Sequence, residues 1–376
     1  YKPDGTLSFL APAKSTLTEA DSRSLYTNLR GTLTFEKTYG DHGVKVLGGF
    51  SREDFRNDNT SAYREGFLLP NYQVLNAGAA DIQRNTGGAS EWALQSAFGR
   101  INYDYKQKYL LEANARYDGS SRFAKGRKYG FFPSVSAGWR ISQEAFMQPL
   151  ANVINEFKLR ASWGQLGNQL IGNYPFMSSL QFGSYALNKQ IVNVVALNTL
   201  ANADISWETT EMSDIGLDMM LFSKLSITAD YYSKRTRDIL LTLDIPAIIG
   251  LGAPSQNAGV VDNKGWELGI NYRGAVKDFR YDVGFNISDV KNKVIDMRGV
   301  NLTGLTANRE GYSIGSLYGL QSEGFFQTTD EVAAGAQQFG VIKPGDIKYK
   351  DQNGDGIINN DDNVVFGSTI PRFTYG

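Results

Sequence analysis

The chain has 376 residues, a formal net charge of −1, 12 % aromatic residues, 40 Gly and no Cys. The missing cysteines exclude disulfides, thiolate metal sites and cysteine nucleophiles, and the balanced charge gives a nucleic-acid partner no electrostatic footprint. No run of 18 apolar residues occurs, which excludes a transmembrane helix and leaves membrane crossing by strands open.

In segment after segment the apolar residues recur with a period of two, the signature of strands with one oily and one wet face. The expected strands, in chain order, are 23–36, 43–54, 91–105, 109–118, 133–141, 156–165, 207–221, 225–235, 263–273, 279–288 and 314–322, with a twelfth beginning at Arg372. In 109–118, Tyr109, Leu111, Ala113, Ala115 and Tyr117 alternate with a mainly polar set that includes Glu112, Asn114, Arg116 and Asp118. In 279–288, Phe279, Tyr281, Val283, Phe285 and Ile287 alternate with Arg280, Asp282, Gly284, Asn286 and Ser288. Most segments reach about ten residues, the length a tilted strand needs to cross a bilayer.

The connections alternate in length. Tight links at 106–108, 222–224 and 274–278 contrast with long polar loops at 56–90, 166–206 and 236–262, and 142–155 is a longer link on the short-turn side with room for a helical turn. Short turns at one end, long loops at the other and aromatics near strand ends (Tyr103, Tyr105, Tyr109, Trp139, Trp163, Trp266, Tyr272) define an all-β, antiparallel transmembrane β-barrel. A soluble β-sandwich alternates in the same way, but it needs one dry face and uses shorter strands.

Asp351-Gln352-Asn353-Gly354-Asp355-Gly356-Ile357-Ile358-Asn359-Asn360-Asp361-Asp362 has the oxygen spacing of a calcium-wrapping loop. Asp351, Asn353, Asp355 and Asp362 would bind through side chains, Ile357 through its carbonyl, and Asn359 directly or through water. Asp at the twelfth position reaches less far than Glu, and no helix pair flanks the loop, so the expected role of Ca²⁺ is structural. The alternative is a turn held by its own Asn and Asp side chains.

Gly311-Tyr312-Ser313-Ile314-Gly315 fits the serine-hydrolase elbow, but the sole histidine, His42, precedes the serine and no helix is expected to follow it, so catalysis is rejected. Gly250, Gly252, Gly164, Gly167 and Gly172 lack a βαβ context for phosphate binding and are expected in loops. Arg122, Lys125, Arg127 and Lys128 form a solvated hairpin tip or touch lipopolysaccharide phosphates. Tyr63, Phe67, Tyr72, Tyr174, Phe176 and Tyr185 pack loops together or stack on cargo.

Asp118-Gly119-Ser120-Ser121-Arg122-Phe123, leading into Phe131-Phe132-Pro133-Ser134-Val135-Ser136-Ala137-Gly138-Trp139-Arg140-Ile141, resembles a barrel segment of SusC/RagA-type TonB-dependent outer-membrane transporters of Bacteroidetes. Leu159–Asn168, Asn263–Tyr272, Glu310–Gln327 and Gly345–Gly376 resemble the same family in the same order. The resemblance implies a barrel of roughly 22 strands around a plug, of which this chain would supply about 11–12 as an incomplete barrel domain over 1–376. It further implies active import of oligosaccharide or oligopeptide across the bacterial outer membrane, with a SusD-like surface lipoprotein and with TonB and ExbB/ExbD as partners. No signal peptide, TonB box or plug is recognisable, so those parts are expected elsewhere. Asn114, Arg116, Arg140, Arg160, Asp282 and Asn286 would then face the lumen or the plug. A passive diffusion porin and a soluble carbohydrate-binding β-sandwich are the alternatives.

Overall fold

The computed structural model describes residues 15–69, 71–242, 245–299 and 304–376. In chain order the strands are β1 (Thr16–Tyr39), β2 (His42–Glu65), β3 (Gln83–Tyr105), β4 (Tyr109–Ser120), β5 (Tyr129–Arg140) and β6 (Ile154–Asn168). Next come β7 (Ser179–Leu187), β8 (Gln190–Thr199), β9 (Glu208–Leu221), β10 (Leu225–Thr242), β11 (Ser255–Val276) and β12 (Phe279–Asp296). The remainder are short: β13 (Thr306–Ala307), β14 (Ser316–Leu320), β15 (Ser322–Phe325), β16 (Ile347–Tyr349), β17 (Asn363–Ser368) and β18 (Phe373–Tyr375), with one helix, α1 (Thr329–Ala334).

Eleven strands form one antiparallel sheet in the order β1-β2-β3-β4-β5-β6-β9-β10-β11-β12-β18. Each of the first ten expected strands coincides with a member of this sheet, with 133–141 running one residue past β5 and 207–221 starting one residue before β9, and the strand expected from Arg372 pairs Phe373 with Asp289. The segment 314–322 does not join it. Its residues form β14 and the start of β15, in small sheets within the connection between β12 and β18. Five residues of β14 are too few to cross a bilayer, and the alternation that made the segment look like a membrane strand comes from packing within that connection.

Two of the long loops are shorter than expected, because β2 runs on to Glu65, β3 starts at Gln83, β10 continues to Thr242 and β11 starts at Ser255, while the third holds the β7–β8 hairpin. The β2 and β3 extensions are polar on both sides, and those of β10 and β11 place Ile239, Leu240, Leu241 and Val261 in consecutive or packed positions, so none shows the oily alternation by which a strand is read. At the other end the links are tight, with Lys106 and Gln107, and again Phe222 and Ser223, in the left-handed region that matches the twist of a two-residue hairpin. The 142–155 link does hold short 3₁₀ turns, Ile141–Gln143 and Ala145–Leu150.

Directly paired residues share a face, so the register sorts the whole sheet into two surfaces. One surface carries Phe50, Ile101, Leu111, Val135, Leu159, Ile215, Val283 and Phe285, and every one of them is exposed. In β2, His42, Val44, Val46, Gly48 and Phe50 precede the first strong charge, Arg52; in β10, Leu225, Ile227, Ala229, Tyr231 and Ser233 precede Arg235; in β12, Phe279, Tyr281, Val283, Phe285 and Ile287 precede Asp289. From the first of these five alternate positions to the charge that follows them is about 33 Å of strand, or about 25 Å at a tilt near 40°. That is the height of a bilayer's apolar band.

Aromatic rings edge this band at the short-turn end. Tyr105, Tyr109 and Trp139 follow one another across three strands at centroid distances of 6.3 and 6.4 Å. Glu144, in the 3₁₀ link, accepts hydrogen bonds from the Tyr109 hydroxyl at 2.8 Å, Trp139 Nε1 at 3.1 Å and Lys108 Nζ at 3.3 Å. At the long-loop end Tyr117 stacks on Tyr129 at 4.9 Å.

Buried apolar residues lie mainly beyond the band at the long-loop end. Phe123, Phe132, Ile205 and Trp207 form a core that ties the 121–128 loop to the connection between β6 and β9, and Trp207 Nε1 donates to the Lys128 carbonyl at 2.9 Å. Gly164 and Gly167 lie in β6, not in a loop. The Phe132 ring lies where a Cβ on Gly167 would stand, which explains glycine inside this strand.

The two surfaces respond differently to charge. Val283→Arg, near mid-band on the apolar surface, is expected to destabilise the intact protein by about 2–4 kcal/mol, while Asn286→Arg on the opposite surface costs far less; equal losses in lipid-based unfolding would refute the face assignment. Hydrogen bonds from Tyr109, Trp139 and Lys108 hold the Glu144 carboxyl below its usual range, so its stabilising contribution is complete above an unfolded pKa of about 4.3 and fades as pH falls through the lower folded value. Glu144→Gln should therefore melt below the parent at neutral pH and converge with it under acid conditions, as read from paired melting curves across pH.

Candidate functional site

The surface opposite the apolar band is where chemistry can be placed. Asn114, Arg116, Arg140, Arg160, Asp282 and Asn286 all lie on it: Asn114 pairs with Ser134, Arg116 with Phe132, Arg140 with Lys158, Arg160 with Gly216, Asp282 with Arg273 and Asn286 with Gly269. The structure joins some of them to charges that the sequence reading did not single out.

Arg160 is the clearest centre. Its guanidinium reaches Asp230 at 2.7 Å, Asp218 at 3.2 Å and Asp214 at 3.5 Å, so one cation on β6 holds three carboxylates on β9 and β10. Lys158 adds a longer contact to Asp218 at 3.9 Å. Gly216 lies directly opposite Arg160. A Cβ there would collide with the guanidinium and with Asp230, so glycine leaves room for the cluster.

A second group lies on β3 and β4. Glu112 accepts from Asn102 at 2.5 Å and Asn114 at 2.8 Å, while Arg100 donates to Asn114 at 2.7 Å. Arg116 bonds Ser96 and Asp118, each at 3.1 Å. Between the two groups, Asn102, Glu112, Ser136, Lys158, Arg160 and Asp214 line a concavity of about 420 Å³. Asp282 is clamped by Arg273 at 2.8 Å near the short-turn end, whereas Arg140 and Asn286 stand apart from both groups. These partners were missed because they lie far apart in sequence; Arg160 and Asp230 are separated by 70 residues, and only strand register brings them together.

The loop from Asp351 to Asp362 is closed by its own amides. Asp351 accepts from Gly354 N–H at 2.7 Å and Gly356 N–H at 2.8 Å, Asn353 from Asp355 N–H at 2.9 Å, and Asp355 from Ile357 N–H at 2.8 Å. Asn359 accepts from Asp361 N–H at 2.6 Å. The fully buried Asp362 accepts from Gln352 and Asn359 N–H groups, both at 2.8 Å, and those bonds hold its carboxyl below the usual range, the Asn359 amide contributing most. Gly354 and Gly356 have positive φ, 75° and 79°, which explains glycine at both positions. Among the described residues no group of three or more His, Asp or Glu is arranged to hold a metal ion.

The remaining motifs are accounted for by packing. Ser313 donates to the Asn292 carbonyl at 2.9 Å, whereas His42 bonds Tyr103 at 2.8 Å at the short-turn end. Arg122 lies over Trp92 at 5.3 Å and donates to the Gln169 carbonyl at 2.9 Å, and Arg127 pairs with Asp204 at 3.3 Å. Phe176 packs on the Phe123 core and Phe67 is buried, while Tyr72 and Tyr185 are exposed.

Comparison with known proteins follows the same lines. Residues 3–374 match the family model described as TonB dependent receptor-like, beta-barrel. TonB-dependent receptor P3 of Formosa agariphila is 35 % identical over 360 residues, covering 92 % of this chain and 36 % of that protein. TonB-dependent receptor SusC of Bacteroides thetaiotaomicron is 30 % identical over 354 residues, covering 88 % and 33 %. A solved structure described as the RagAB peptide transporter superposes with a TM-score of 0.84 at 22 % identity, covering 96 % of this chain and 39 % of that one. The chain thus spans about a third of the length of the curated relatives it matches. With a bilayer-high apolar surface backed by a charged one, and with this similarity along nearly its whole length, the chain belongs to the TonB-dependent receptor β-barrel family, of the SusC/RagA-like kind, and resides in the bacterial outer membrane.

Proposed function

We propose that the whole protein is an active importer of oligosaccharide or oligopeptide and that this chain supplies part of its barrel wall. The observation that carries the reading is the division of one sheet into an outer surface with an apolar band of bilayer height and an inner surface rich in paired charges, the latter suited to a water-filled passage or to a plug. Arg160 with its three aspartates, and the Glu112–Asn114–Arg100 group, give that inner surface fixed hydrogen-bonding positions. The candidates Asn114, Arg116, Arg140, Arg160, Asp282 and Asn286 share this surface and are proposed to face the lumen or the plug.

Two names among the relatives support the cargo class and the energy source. SusC is a TonB-dependent receptor by name, and the RagAB structure is described as a peptide transporter. On this reading TonB with ExbB/ExbD energises transport, and a SusD-like lipoprotein covers the long-loop end. The decisive measurement is uptake of labelled oligosaccharides and oligopeptides by cells carrying the full-length protein, with and without TonB. Uptake is expected to vanish without TonB; uptake that persists would identify a passive porin instead.

Calcium at Asp351, Asn353, Asp355, Ile357, Asn359 and Asp362 is a separate proposal that rests on oxygen spacing, with the ion stiffening the long connection. Calorimetric titration of chelator-treated full-length protein should show binding that Asp362→Ala abolishes, with a rise in melting temperature for the parent. A parent that binds no calcium would leave the loop held by its own amides alone.

A further inference from the structure

On the outward, apolar surface, charge begins level with Trp266, where Asp289 stands directly opposite it, and two residues further along two like charges meet. Lys264 of β11 stands directly opposite Lys291 of β12, and Lys293 lies two residues further along, opposite Asp262. Same-sign neighbours across a ladder repel each other, so this pairing costs the sheet stability unless an anion lies against it. The nearby carboxylates are already engaged. Asp262 takes two nitrogens of Arg235, each at 2.6 Å, and Asp289 takes Arg372 at 3.1 Å. All three lysines are exposed, and no hydrogen bond or ion pair reaches them among the described residues.

The contrast with β2 is informative. Arg52 and Arg56 also lie on the outward surface just beyond the apolar band, but each clamps the aspartate two residues ahead, Asp54 and Asp58, at 2.8 Å. Their charge is balanced within the protein, whereas Lys264, Lys291 and Lys293, with Arg235 and Arg372, outnumber the two carboxylates beside them, Asp262 and Asp289. Immediately on the membrane side of the lysines, Tyr231 and Trp266 form a direct cross-strand pair, the kind of amphipathic couple that sits where hydrocarbon meets headgroups. An oily surface topped by ammonium groups in excess of their carboxylates complements an amphiphile with acyl chains and an anionic head.

We propose that Lys264, Lys291 and Lys293 form a docking site for the phosphorylated headgroup of an outer-leaflet lipid A, with its acyl chains lying against Trp266 and Tyr231. This rests on the outward assignment of the surface, which Val283→Arg tests independently. The experiment is binding of lipid A to the full-length protein purified in detergent, followed by native mass spectrometry, with phosphorylated and dephosphorylated lipid A as probes. The triple variant Lys264→Gln, Lys291→Gln, Lys293→Gln should lose at least about tenfold in affinity for the phosphorylated lipid and little for the dephosphorylated one. Replacement of all three lysines by Arg should retain binding, and Arg52→Gln with Arg56→Gln should leave it within about twofold. Relief of the Lys264–Lys291 repulsion means that the glutamine variant melts no lower than the parent in the absence of lipid. Unchanged affinity in the glutamine variant, or an equal loss with both lipids, would overturn the site, and displacement of the lipid by millimolar inorganic phosphate would reassign it to free anions.

Discussion

Peptide groups cannot be left unpaired in hydrocarbon, where each orphaned N–H or C=O costs several kcal/mol. The antiparallel ladder meets this constraint across the apolar band for its interior strands, β2 to β11, by pairing each with a neighbour on both sides, through β6 to β9 to β10 where the chain detours into β7 and β8. The ladder also fixes everything else. Once strands pair side by side, the pleat sends alternate residues to opposite surfaces, and a slip of one residue would move every exposed Phe and Leu into the charged layer.

The charged layer is therefore a product of register and not of local sequence. Arg160 meets Asp218 because Lys158 is opposite Asp218, and it meets Asp230 because Gly216 leaves room across two ladders. Charges gathered on a single face can neutralise one another, and the apolar band opposite needs no such partners. The same logic explains the glycines of β6 and β9. They stand where a neighbouring side chain must lie flat along the sheet, Phe132 over Gly167 and Arg160 over Gly216.

Beyond the band at the long-loop end the chain behaves as an ordinary globular surface would. Strands β2 and β3 continue as wet ribbons, and loops bury Phe123, Ile205 and Trp207 against Phe132 at the top of the wall. A second buried group, Val261, Val294 and Met297, seats the upper ends of β11 and β12. The connection after β12 folds into small sheets of its own and returns through β18 to the ladder. These packed loops give the long-loop end a fixed shape, on which recognition of a cargo or a capping partner would depend.

The sequence by itself determined which residues face lipid, because an oily residue at every second position is a local property that strand pairing only has to respect. Ten of the ladder's strands, the short-turn end and the six polar-face candidates were legible in this way, as was the family from the stretches around Trp139, Leu159 and Trp266. Tertiary structure decided where strands extend past the membrane, because neither a ribbon wet on both sides, as in β2 and β3, nor an unbroken apolar run such as Ile239, Leu240 and Leu241 of β10 carries an alternation, and it decided that 314–322 packs within a connection instead of crossing. It also decided which charges meet. Arg160, Asp214, Asp218 and Asp230 sit on three strands, and Lys264 faces Lys291 across two. Such encounters depend on the register between distant segments, which no stretch of sequence states alone.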